Sequence, residues 1–119
     1  MKEKEKTLTI EHFREVLLAC VEQVTNGKGS QRHGSDTAFE EQPWKLISDN
    51  VGEGFVIGQA IKKLMELKAH NQAMLTNEGS PGKYFESYGK WKADALGAIV
   101  YTVMAIMYKE YTVIGTDEA

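Results

Sequence analysis

Apolar residues first fall into register at Phe13, Val16, Leu17, Cys20, Val21 and Val24, recurring at steps of three and four residues. That spacing is the stripe of an amphipathic helix. Thr9 in front of it is suited to cap the helix, since its hydroxyl can accept a backbone N–H of the first turn, and Asn26-Gly27 ends it. A short helix is expected near Asp36 and another at Pro43, where proline fits the first turn. The second carries Trp44, Leu46 and Ile47 and stops around Gly52 or Gly54. A third helix runs from about Phe55 to Met74, with Ile57, Ile61, Leu64 and Met65 as its clearest apolar positions. Thr76 to Gly82 is a loop by composition. The last helix starts near Tyr84 and extends toward Tyr111, with Tyr84, Tyr88, Trp91 and Ala95 on one face of its first half. Leu96 to Met107 is apolar nearly all round, so several neighbours should bury it. Tyr111 to Ile114 reads as fraying helix rather than strand.

The pattern predicts an all-α fold, a small bundle of four to five helices. It forms a single domain over residues 1–119, with 1–8 and 114–119 as flexible tails. Short helices around one apolar helix leave surplus hydrophobic surface, which predicts a homo-oligomer.

Composition narrows the partners. Fourteen basic against seventeen acidic residues give a net charge of −3, and a duplex nucleic-acid binder would carry a basic surplus. No apolar run reaches the length of a membrane span. The mixed charges of Met1 to Lys6 do not make a secretory signal. Cys20, the single cysteine, can form no internal disulfide or cysteine zinc site and reads as a buried structural thiol in a reducing compartment. The expected location is the cytosol.

Candidate chemistry gathers between Gly27 and Lys45. Gly27, Gly29 and Gly34 allow close backbone approach, Arg32 offers a planar fork of donors for phosphate or carboxylate, His33 adds a polar ring, and Trp44 offers a stacking face. The glycine spacing matches neither a Walker loop nor a dinucleotide fingerprint. Asp94 stands between Trp91 and the apolar run, where an acid must be solvated at a pocket wall, paired, or metal-bound. Gly97 weakens a helix by roughly 1 kcal/mol relative to alanine, and its expected use is close helix packing. Lys62-Lys63 reads as a solvated face, with Lys62 a candidate phosphate contact. Glu40-Glu41 point in different directions on a helix. His12, His33 and His70 lack metal-ligand spacing, and no nucleophile-base-orienter set is visible.

Arg32-His-Gly34, Phe39 and Trp44, the helix Gly58 to Lys68, and then Lys92-Ala-Asp-Ala-Leu-Gly-Ala-Ile-Val-Tyr101 occur in that order. The order resembles phage-borne members of the MazG-like all-α nucleotide pyrophosphohydrolase superfamily. The resemblance implies a helical oligomer with a nucleotide pocket between helices. Catalytic members hold magnesium with Glu-x-x-Glu on one helix and Glu-x-x-Asp on another, a spacing that puts both acids on one helix face. Here no Glu of the helical body is followed three positions later by Glu or Asp, and Lys90 stands four before Asp94.

The resulting expectation is a phage-type nucleotide-binding protein that sequesters a nucleotide or nucleotide-derived signal without cutting it, an anti-defence sponge in the host cytoplasm. It would have no cofactor. Arg32, His33, Lys45 and Lys62 would meet phosphates, Trp44 would stack, and Asp94 would accept from a ribose or base. The alternatives are a magnesium-dependent nucleoside triphosphate pyrophosphohydrolase using Asp94, Glu66 and Glu40 or Glu41, and a structural or regulatory oligomer.

Overall fold

The computed structural model describes residues 7–25 and 43–118. All four elements among them are α-helices, with no strand: α1 (Ile10–Thr25), α2 (Pro43–Val51), α3 (Gly54–Thr76) and α4 (Pro81–Glu118). The short helix expected near Asp36 lies outside the described residues.

The 38-residue α4 is about 57 Å long at 1.5 Å per residue and sets the 58 Å long axis of the molecule. It begins earlier than the aromatic pattern predicted, at Pro81, and runs through Tyr111–Ile114 as helix to Glu118. α3 folds back against it as an antiparallel partner across the turn Asn77–Ser80, which closes through Ser80 N–H to Asn77 O at 2.9 Å. α1 lies on one flank of α4, where the Cys20 thiol donates to the Leu96 carbonyl at 3.9 Å. α2 packs across the other end of the hairpin.

Local signals work where the backbone alone decides. The Thr9 hydroxyl accepts the His12 N–H at 3.2 Å, the expected cap of α1. Gly52 takes a φ of +89° just past α2, a left-handed corner that glycine enters without strain, and its N–H reaches Ser48 O at 2.7 Å.

The core sits at the α2 end. Trp44, Val56, Tyr101, Met104 and Tyr108 form one buried cluster, flanked by Val24, Phe55, Ala60, Val100 and Ala105. Ser48 is fully buried there, its hydroxyl returned to the Trp44 carbonyl at 2.8 Å.

The helices dock on only part of the apolar stripes that predicted them. α1 turns His12, Val16, Ala19, Cys20, Gln23 and Val24 inward, while Phe13 is 61% and Leu18 65% exposed, with Ile10, Leu17 and Val21 exposed beside them. Its docked side even holds the Gln23 side-chain oxygen buried with no hydrogen-bond partner among the described residues. On α3, Ile57, Ile61, Leu64 and Met65 point outward, and Lys63, Leu67 and His70 lie on the half-buried side. The result is an extended molecule. Its radius of gyration is 16.9 Å, against about 13.5 Å for a compact chain of this length.

Candidate functional site

Polar chemistry collects where the two long helices run side by side, between the turn and the core. On α3, Lys63, Glu66 and His70 are spaced by three and four residues and so share one face. That face meets Asp94 of α4, which is 6% exposed. The Lys63 ammonium stands 3.4 Å from Glu66 Oε2 and 3.8 Å from Asp94 Oδ1. His70 Nδ1 donates to Asp94 Oδ2 at 2.5 Å. This bond fixes the imidazole and leaves Nε2 as its other nitrogen.

Gly97 gives the lysine stem room. A Cβ there would lie 3.2 Å from Lys63 Cδ and 3.4 Å from its Cε and Cγ. The bare backbone therefore lets the lysine stem lie along α4 and deliver its charge one turn back, beside Asp94. Close packing was the expected use of Gly97; the packed element is a charged side chain. Next along α4, Tyr88 and Trp91 stack at a centroid distance of 6.1 Å and an interplanar angle of 18°, with Trp91 half-buried.

A second polar cluster ties α2 to the far end of α4. Lys45 Nζ donates to Asp49 Oδ2 at 3.0 Å, and the Tyr108 hydroxyl donates to Asp49 Oδ1 at 2.9 Å. Lys45 also stands 4.8 Å over the Tyr111 ring. The bonds from Lys45 and Tyr108 hold the Asp49 carboxyl below its usual range, and the same carboxylate raises the Lys45 and Tyr108 values. Lys109 meets Glu53 at 2.7 Å nearby. Burial pushes the Cys20 thiol up, as befits a structural rather than a reactive cysteine.

The predicted site residues fall into different places. Trp44 is 4% exposed and packed into the core, so in the chain as folded its ring packs against protein rather than offering a stacking face. Its volume was worth more in the interior than at a rim. Lys45 is engaged by Asp49 and Tyr111. Lys62 is the solvated lysine, 4.0 Å from Glu66 Oε1; the lysine that faces Asp94 is its neighbour Lys63, which the pattern assigned to the same solvated face. Lys45 and Asp94 do not meet: Tyr111 lies seventeen residues beyond Asp94 on α4, about 25 Å along the axis. Arg32, His33, Phe39, Glu40 and Glu41 lie outside the described residues. Lys63 and His70 were missed because their partner is 31 and 24 positions away. The only signal was Asp94 itself, an acid on an apolar helix that needed a cation.

Among the described residues no three His, Cys, Asp or Glu side chains converge as a metal-binding group, and none of the helices is long and apolar enough to cross a membrane. Comparison with known protein families, characterised proteins and solved structures finds no match.

Proposed function

We propose that this chain is a non-hydrolytic binding protein, a helical oligomer that holds a nucleotide or nucleotide-derived ligand without cleaving it. The observation that carries the reading is the place of Lys63. An ammonium already sits between Glu66 and Asp94, the two acids a divalent cation would need, and it satisfies their charge in advance. A group so neutralised is suited to recognition: Asp94 accepts, His70 is held in one orientation, and Trp91 supplies an aromatic edge one turn away. Arg32 and His33 are the groups proposed to meet phosphate. Sequestration of a nucleotide-derived signal is the finer form of this reading.

Native mass spectrometry of the full chain, before and after denaturation, tests it. A small molecule released only on denaturation is the expected result. Incubation with nucleoside triphosphates and magnesium should give no pyrophosphate above a blank. Turnover that disappears in Asp94→Asn would establish the enzyme instead.

One observation favours a second reading, a structural or regulatory oligomer. The Trp44, Lys45 and Asp94 side chains are all committed to contacts within the chain, and much of the apolar surface is not. A chain that carries no small molecule and binds no nucleotide in titration would select this reading.

A further inference from the structure

Most lysines of the described residues are ion-paired: Lys45, Lys62, Lys63, Lys90 and Lys109 each have a carboxylate within 4.0 Å. Lys68, Lys83 and Lys92 are exposed and have no such partner among the described residues. All three lie in the half of the hairpin next to the turn, the half that holds the Tyr88–Trp91 stack. Lys68 stands two residues before His70, and Lys92 follows Trp91 directly. Trp91 precedes Asp94 by three residues, about 4.5 Å of helix rise, so the stack adjoins the bond between His70 and Asp94. In that bond the carboxylate can only accept, which puts the hydrogen on His70 Nδ1. The neutral ring is left with Nε2 as an acceptor, and the side chain is a third exposed.

We infer that this place receives the base of a free nucleotide: the base extends the Tyr88–Trp91 stack, an amine on its edge donates to His70 Nε2, and Lys68, Lys83 and Lys92 add to the charge that holds its phosphates. The inference rests on the binding reading above and names the part of the ligand that this end of the hairpin takes. Its occupant follows from charge and shape together. A plain anion would leave the aromatic stack unused, and an uncharged ring would leave three cations without a partner. In a duplex the faces of the base are stacked and its pairing edge is occupied, so the nucleotide is a free one. The opposite end of α4 lacks the combination, since Lys109 is held by Glu53 and Tyr111 lies under Lys45.

Titration calorimetry of the full chain without magnesium tests it with three probes. These are ATP, purine riboside triphosphate, which lacks the amine, and tripolyphosphate, which lacks the base. ATP should bind best, the amine-free analogue about fivefold more weakly, and tripolyphosphate at least about tenfold more weakly than ATP. Trp91→Leu should weaken ATP binding about tenfold and Lys92→Gln should weaken it in a salt-dependent way, whereas Lys109→Gln leaves it unchanged. Fluorescence gives a readout that needs no variant: ATP should quench the emission of the half-buried Trp91 and tripolyphosphate should not, with Trp44 sealed at 4% exposure. Equal affinity for ATP and tripolyphosphate overturns the inference, as does ATP binding that is indifferent to Trp91→Leu and quenches nothing. Failure of all three probes overturns it too, and the native mass spectrum then decides the binding reading separately.

Discussion

Replacing Asp94 by asparagine keeps the shape of the side chain and removes its charge. In the parent, Asp94 is almost wholly buried and accepts from His70 while facing the Lys63 ammonium. A hydrogen bond to a charged group contributes about 1.5–3 kcal/mol. Removing one member of a fully buried pair costs about 3–5 kcal/mol, because the other charge is stranded. Here Lys63 keeps Glu66 at 3.4 Å and His70 is a third exposed, so the lower range applies. Asp94→Asn should cost about 1.5–3 kcal/mol, which lowers the melting temperature by roughly 6–12 °C for a chain of this size. Lys63→Met should be less costly in the Asp94→Asn background than in the parent, with a coupling of about 1 kcal/mol or more, as for residues sharing one network. Urea unfolding followed by circular dichroism at one fixed protein concentration gives all four corners of the cycle. A cost within about 0.5 kcal/mol of zero, with additive effects, would refute the idea that this cluster joins the two helices.

The core and the outward faces should respond differently to truncation. Met104→Ala should cost about 2–5 kcal/mol, since Met104 is 1% exposed, whereas the outward-facing Met65→Ala should stay within about 0.5 kcal/mol by the same urea assay; equal costs would mean that α3 is covered. Because Asp49 is held below its ordinary value near 3.8 by Lys45 and Tyr108, its contribution is present above that pH and is lost as pH falls through the lower folded value. Asp49→Asn should therefore flatten the acid limb of stability below the ordinary value near 3.8, and an unchanged limb in acid titration would show that the contact is not formed. On the alkaline side the same logic reverses: Lys45 and Tyr108 are raised, so their contribution is complete below their ordinary values of 10.5 and 10.0 and declines as pH rises past them.

What the sequence could disclose depends on the range of the interaction. The Thr9 cap, the Gly52 corner and the proline start of α2 are decided within four residues, and all three were legible. The apolar stripe of α1 was legible as a stripe, but periodicity says which side of a helix can be buried and not which neighbour will bury it. Phe13, Leu17 and Val21 were expected in the core and lie outside it. Trp44, expected as a stacking face, lies in the core for a related reason. A tryptophan beside glycines and an arginine looks like a ligand platform, yet its indole fills the space over Val56 and Met104, which are distant in sequence. Lys63 looked like half of a solvated pair because nothing local reveals the glycine on another helix that admits its stem.

The two tryptophans divide this molecule optically. Trp44 is sealed in the core at the α2 end, and Trp91 stands half-exposed against Tyr88, one turn before Asp94. Each half of the long hairpin thus carries its own fluorophore in its own surroundings. Trp44→Phe would leave emission that reports the polar half alone, and Trp91→Phe would leave emission from the interior. A chain in which the ends of a 38-residue helix melt separately would give two transitions where circular dichroism averages them into one.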